Sequence, residues 1–224
     1  MHRESRLTQR KDPADVLDYK EKVTKIYFVR HGETKANKLR LLFGQTNWDL
    51  TQKGRKQAAR AAGMLSEIVK KENINLIISS PLKRAKSTAK IVAKKTKIKK
   101  IILDKDLTEK SEGNWEVKTF WQVRKQDPKN YYKWIKEPFK NRPPNGESIA
   151  DLNKRVKRFY KTVLKKYLGK NIIVVCHSGP IRLFILNLLG ADIHKFWYLK
   201  EECGSITEIH VSKKHSMIWA VNKN

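Results

Sequence analysis

Residues 171–182 read NIIVVCHSGPIR. The run Ile172–Cys176 is apolar without alternation, as a strand buried on both faces requires. Ser178-Gly179-Pro180 breaks it, and Pro180–Leu189 reads as an apolar helix. A second strand near the other end of the chain does the same thing. Lys25–Arg30 (KIYFVR) is rich in β-formers and runs into Arg30-His31-Gly32-Glu33-Thr34. Two strands therefore end on a histidine followed closely by glycine.

Between them, apolar runs alternate with helix-like segments. Thr51 to Glu72 predicts a helix with Thr51 as N-cap and an apolar stripe at Ala58, Ala61, Ala62, Leu65, Ile68 and Val69. Asn75–Ser79 is a short strand, Leu82–Thr96 a helix opened by Pro81, and Ile98–Leu103 a strand. Val117–Gln126 predicts a helix stopped by Asp127-Pro128, and Glu147–Leu168 a long amphipathic helix. Residues 128–146 are rich in aromatics, lysine and proline, while Ser205–Val211 and Ser216–Val221 read as late strands. The pattern predicts an α/β three-layer sandwich, a mostly parallel central sheet with helices on both faces. In such sheets ligands bind beyond the carboxyl ends of the strands.

The 224 residues suit one domain. Fifty Lys and Arg oppose 22 Asp and Glu, a formal net charge of +28. That balance excludes an acidic solvating tail, and leaves a nucleic-acid binder, a handler of small phosphorylated anions, or a lysine-biased composition. The scatter of the lysines favours the last for the charge taken alone. Two cysteines, Cys176 and Cys203, offer no disulfide framework, which points to a reducing, cytoplasmic setting. No stretch reaches the roughly 18 apolar residues of a membrane span, and Met1–Glu21 lacks the apolar core of a signal peptide.

A lone histidine is most often a surface or satisfied core residue, and that reading suffices for His2, His194, His210 and His215. For His31 and His177 the strand-end placement, the glycine neighbours and the nearby arginines favour chemistry instead. A third strand runs into Ser80-Pro81-Leu82-Lys83-Arg84. Two imidazoles and two guanidiniums, Arg30 and Arg84, thus follow parallel strands. Guanidinium forks match phosphate oxygens, and a neutral imidazole is a competent nucleophile.

On these residues the chain resembles the histidine phosphatase superfamily, the phosphoglycerate mutase-like proteins. The likeness extends beyond Arg30-His31-Gly32-Glu33-Thr34. Asn37, Gly44, Leu50-Thr51, Gly54 and Gln57-Ala58 follow in order, then Ser79-Ser80-Pro81-Leu82, Arg84-Ala85 and Thr88-Ala89. Leu107-Thr108-Glu109, Gly113, Trp115 and Glu116, then Gly146-Glu147-Ser148 and Arg155, then Cys176-His177-Ser178-Gly179 and Arg182, and Gly204-Ser205-Ile206-Thr207 complete it. The resemblance covers about residues 24–220, leaving 1–22 as an N-terminal extension and 23–224 as the catalytic domain, with a helical lid insertion at about 117–146.

The resemblance implies a mechanism. His31 attacks phosphorus and becomes phosphohistidine. Arg30, Arg84 and His177 surround the phosphoryl group, and Glu109 protonates the leaving oxygen before activating water. Asn37 and Ser178 are expected as further phosphate-binding residues, and Thr34 as a supporting neighbour of the site. No metal or other cofactor is implied, because fixed cations neutralise the charge. Glu33 is a rival acid with a structural reading, Glu112 and Glu116 read as solvated or structural, and Arg155 and Arg182 as ion-paired helix residues. Glu147 reads as an N-terminal helix residue. Trp121, Tyr131, Tyr132 and Trp134 either stack on a substrate ring or pack the lid onto the core.

Within the superfamily, phosphoglycerate mutases carry Arg-His-Tyr-Gly after the catalytic glutamate, whereas Glu109 is followed by Lys110-Ser111-Glu112-Gly113. Gly113-Asn114-Trp115-Glu116 and Gly146-Glu147-Ser148 resemble the alpha-ribazole phosphatase and broad-specificity phosphatase branch. The expected activity is metal-independent hydrolysis of a small phosphorylated metabolite. Phosphoglycerate mutase-type transfer is the alternative reaction, and nucleic-acid binding on the same scaffold the alternative class. The latter is disfavoured by the absence of a nucleic-acid-binding signature. Dimers are common among related proteins, so a homodimer is an assembly open to the chain.

Overall fold

The computed structural model describes residues 21–224. The expectation of an N-terminal extension at 1–22 therefore lies almost wholly outside the described residues.

Six strands form one sheet in the order β3-β2-β4-β1-β5-β6. They are β1 (Thr24–Arg30), β2 (Leu76–Ser79), β3 (Lys100–Leu103), β4 (Ile172–Cys176), β5 (Ile206–Val211) and β6 (Ser216–Lys223). β1, β4, β2 and β3 pair in parallel, and β5 pairs antiparallel with both β1 and β6. The mostly parallel sheet holds, with one strand running against the rest.

Side-chain alternation divides the core into two layers. Ile26, Phe28, Ile172, Val174 and Cys176 face one way, onto α6 (Ile149–Thr162) and α7 (Ser178–Leu188). Tyr27, Val29, Ile173 and Val175 face the other, onto α2 (Gln52–Lys71) and α3 (Lys83–Thr96). Burial of each Leu, Ile, Val or Phe contributes about 1.5–3 kcal/mol, so a strand apolar on both faces is anchored from both sides.

Several expected boundaries shift for local reasons. The helix expected from Val117 begins at Phe120 as α4 (Phe120–Gln126). Val117 is in the left-handed region at φ 64°, and Thr119 caps the helix by accepting from Gln122 N. Pro128 both stops α4 and occupies the first turn of α5 (Pro128–Lys136), a helix not read in the sequence. The helix expected from Glu147 starts at Ile149, because Ser148 and Asp151 form a capping box. Its last turn, Val163–Tyr167, widens to π geometry. The strand expected from Ile98 starts at Lys100, after Lys97 turns the chain at φ 62°. The helix expected from Pro180 starts two residues earlier, with His177 at its N-cap. A further single turn, α1 (Lys35–Lys38), is capped by Thr34 and Asn37.

α4 and α5 build a small separate cluster. Trp115, Trp134, Val123 and Leu42 are buried together with Tyr131 against them, and Trp115 Nε1 donates to Asp127 Oδ2 at 3.0 Å. Trp134 and Tyr131 are thus packing residues, whereas Trp121 and Tyr132 are exposed. No helix among the described residues is long and apolar enough to cross a membrane. Cys176 and Cys203 are free thiols.

Candidate active site

Strand order sets the site. β2, β4 and β1 are adjacent and parallel, with Arg30 opposite Cys176 and Ser79 opposite Val175. Their carboxyl ends meet at one edge, and two bonds just past the strands fix it. His31 N donates to Cys176 O at 3.0 Å, and Ser80 N to Val175 O at 2.9 Å.

There His31, His177 and Arg84 are all buried, with the two imidazole centroids 5.0 Å apart. Arg84 Nε lies 3.2 Å from both His31 Nε2 and His177 Nδ1. As Arg84 Nε can only donate, those two ring nitrogens carry lone pairs. The tautomers follow. His31 Nδ1 holds its proton toward Gly32 O at 2.8 Å, and His177 Nε2 holds its proton toward Ser80 Oγ at 2.8 Å. Burial, with Arg84 and Arg30 nearby, pushes His31 well below the usual histidine range. Burial, with Arg84 and His31 nearby, does the same to His177. Both rings are neutral at pH 7, and the Nε2 of His31 is an accessible base in electronic terms.

Arg84 is itself lowered to about 10 by burial, which leaves it a cation at neutral pH. Its Nη1 donates to Thr46 O at 3.1 Å and its Nη2 to Gly44 O at 2.7 Å, and the guanidinium sits 4.9 Å over the Phe43 ring. Arg30 Nη1 donates to the Glu201 carbonyl, while its Nε is buried without a partner among the described residues.

The loop that carries His31 is held from below. Thr88, one helical turn after Arg84, donates to Arg84 O at 2.9 Å and accepts from Gly32 N at 3.1 Å. Gly32 packs so closely on the first turn of α2 that a Cβ there would collide with the Gly54 carbonyl. Glu33 accepts from Thr51 Oγ1 at 2.9 Å and faces Lys53 at 3.4 Å, so the rival acid is tied to that same turn.

Glu109 meets the N-terminus of α7. Its Oε2 accepts from Gly179 N at 3.2 Å and Ser178 Oγ at 3.3 Å, and its Oε1 from Lys110 N at 3.0 Å. Arg155 pins this segment by donating to the carbonyls of Asp106, Thr108 and Glu109 at 3.0, 2.9 and 3.3 Å. It also grips Glu147 through two bonds of 2.9 and 2.8 Å. Glu112 is partly buried and pairs with the buried Lys110 at 2.6 Å, and burial raises its pKa. Glu116 accepts from Gln45 N and Thr46 N at 2.7 and 2.6 Å, tying the 42–46 loop in place.

Asn37 Oδ1 accepts from Thr34 N and Thr34 Oγ1 at 2.9 and 2.8 Å, and its amide NH₂ makes no hydrogen bond among the described residues. Arg182 departs from expectation. It forms no ion pair among the described residues, and its guanidinium lies over Phe196 and Trp197 at 5.3 and 6.0 Å. Among the described residues no group of three or more His, Cys, Asp or Glu is arranged to hold a metal ion. The sequence assigns no stated role to Ser80, Thr88 or Phe43, although Ser80 and Thr88 lie within the motifs of the resemblance and Thr88 follows Arg84 by one helical turn.

A model of the histidine phosphatase superfamily (branch 1) matches residues 26–224. The chain belongs to that superfamily. Among curated members it is 32% identical over 200 residues to phosphoserine phosphatase 1 of Hydrogenobacter thermophilus, covering 89% of this chain and 92% of that protein. It is 28% identical over 198 residues to the adenosylcobalamin/alpha-ribazole phosphatase of Escherichia coli, covering 88% and 95%. Its fold overlays the crystal structure of the alpha-ribazole phosphatase from Shigella flexneri with a TM-score of 0.82 at 27% identity, covering 89% of this chain and 96% of the other. The strand-end site thus lies within the region shared with histidine phosphatases, and these three relatives are named as phosphatases.

Proposed function

We propose that the protein is a phosphomonoesterase that hydrolyses small phosphorylated metabolites through a phosphohistidine on His31. The observation that carries this reading is the tautomer of His31: Nδ1–H is spent on Gly32 O, and the lone pair of Nε2 stands against a buried cation.

In the first step His31 Nε2 attacks phosphorus. The N–P bond forms as the ester P–O bond breaks, and Glu109 gives a proton to the departing alcohol oxygen. Arg30, Arg84 and His177 line the equatorial oxygens, where charge accumulates, with the Asn37 amide as a further donor. Arg84 releases its contacts to the imidazoles as phosphate oxygens take up its N–H groups. In the second step Glu109, now a carboxylate, takes a proton from water. The water oxygen bonds to phosphorus, the N–P bond breaks, and inorganic phosphate leaves with His31 restored.

The α4–α5 segment serves as the lid over this reaction, with Trp121 and Tyr132 as exposed rings on it. Two relatives, a phosphoserine phosphatase and an adenosylcobalamin/alpha-ribazole phosphatase, support a phosphomonoester substrate class. Turnover of p-nitrophenyl phosphate in chelator-treated buffer tests the reading. Steady phosphate release that is lost in His31→Ala supports it. Release unaffected by that substitution overturns it.

A further inference from the structure

Arg182 is the one arginine beside the site whose guanidinium makes no hydrogen bond and no ion pair among the described residues, and its Nε is buried. A guanidinium carries five N–H donors, and a buried donor left unmet is destabilising. Its neighbours differ. Arg155 is held by three carbonyls and Glu147, Arg84 donates through Nε, Nη1 and Nη2, and Arg30, whose Nε is also buried without a partner, still donates through Nη1.

Its position explains what the free fork faces. Arg182 lies four residues after Ser178 on α7, hence on the same helix face. Ser178 is the residue whose hydroxyl donates to Glu109. Arg182 therefore stands one turn beyond the carboxylate assigned to the leaving oxygen. The aromatic rings of Phe196 and Trp197 hold the guanidinium through its face. Stacking of that kind fixes the plane of the group and consumes none of its in-plane donors. Trp197 is half exposed, so this wall reaches the surface. The carboxylates of Glu109 and Glu201 act on Arg182, opposing the lowering of its pKa by burial. A pre-oriented cation with an open fork is the chemistry that recognises a carboxylate bidentately.

We infer that Arg182 is a specificity residue that binds a carboxylate on the alcohol half of the substrate, so that phosphate esters of hydroxy acids or hydroxy amino acids are preferred. The inference rests on the phosphomonoesterase reading and names its substrate class. Arg30 and Arg84 take the phosphoryl group, and Arg182 takes the second anion beyond the scissile bond.

Two probes that differ only by a carboxylate test it: O-phosphoserine and phosphoethanolamine. Wild-type protein is expected to favour phosphoserine in kcat/KM by about 10- to 100-fold, the range for a charged bidentate contact. Arg182→Ala is expected to bring the ratio close to one, through a loss on phosphoserine. Arg182→Lys keeps the cation and most of the stem but lacks the fork, and is expected to fall between. It also serves if the alanine variant does not fold. A wild-type ratio near one, or a wild-type ratio retained in either folded variant, overturns the assignment. Failure of the phosphomonoesterase reading looks different, because then wild-type protein releases phosphate from neither probe nor p-nitrophenyl phosphate.

Discussion

Gly179 and Glu109 occupy one space. A Cβ on Gly179 would overlap Oε1 of Glu109 and come within 2.9 Å of Leu152 Cδ2. The glycine that follows the second site histidine by two residues is therefore the seat of the carboxylate, and its backbone N–H is one of the donors that orient it.

Gly179→Ala is accordingly expected to displace Glu109 while leaving His31 and Arg84 where they are. General acid–base catalysis contributes about 10²–10⁴-fold, so turnover of alkyl phosphates is expected to fall by that order. In kcat/KM, which reports formation of the phosphohistidine, p-nitrophenyl phosphate, whose leaving group needs no proton, is expected to lose far less, whereas kcat falls for both esters because the water step also uses Glu109. Steady-state kinetics on the two ester types checks this, and equal losses of kcat/KM on both would remove Glu109 from protonation of the leaving oxygen.

Arg155 ties the Asp106–Glu109 segment to α6 through three carbonyls and Glu147, and its side chain is only 12% exposed. Arg155→Ala leaves those acceptors and the Glu147 carboxylate without a cation. A loss of about 3 kcal/mol is expected, at the lower end for a buried pair because Glu147 is 23% exposed. Urea denaturation measures it, and turnover is expected to fall in the protein that remains folded.

Trp115 fastens the α4–α5 cluster, edge-on to Trp134 at 5.8 Å and bonded to Asp127. Trp115→Ala is expected to cost about 3–5 kcal/mol, as large-to-small changes at buried aromatics do. Hydrogen exchange is expected to speed up first in Phe120–Lys136, where the packing is lost, and later in β1 and β4. Uniform acceleration across the sheet would contradict a separately packed cluster.

The two buried imidazoles fix the acid behaviour. His31 and His177 have folded pKa values well below their unfolded value of about 6.5. Between the two values the unfolded chain binds more protons, so stability rises with pH across that window. It is fully present above about pH 6.5 and is lost as pH falls toward the folded values. Each histidine contributes at most about 1.4 kcal/mol per pH unit. Equilibrium unfolding at a series of pH values from 7 downward checks the sign, and His177→Gln is expected to flatten the slope by about one proton.

Some of this was legible in the sequence because it is local. The apolar run Ile172–Cys176 ends abruptly on His177-Ser178-Gly179, and β1 ends on Arg30-His31-Gly32, so the two strand-end histidines follow from local pattern without any tertiary contact. Glu109 was reached only through the family resemblance, since nothing in its own neighbourhood marks it. α1 depends on a four-residue reciprocal cap between Thr34 and Asn37, too short to leave a periodic signal. α5 was hidden by Pro128, which ends one helix and suits the first turn of the next. Arg155 and Arg182 look alike in the sequence, two basic residues on helices, both read as ion-paired. Only tertiary structure separates them, giving Arg155 three loop carbonyls and Arg182 two aromatic faces. Of the net charge of +28 only a very small part, Arg30 and Arg84, belongs to the site, and the rest acts at most as a field that draws anions inward.

The central claim is that the phosphoryl group passes through His31 Nε2. Rapid-quench mass spectrometry of the protein mixed with p-nitrophenyl phosphate, quenched into alkali and digested, reads it directly. The account predicts one phosphoryl adduct on the His31 peptide, stable in alkali, lost in acid, and accumulating in Glu109→Gln, where the water step is slowed. Turnover at the wild-type rate with no adduct on His31, or with the adduct on another residue, would contradict it.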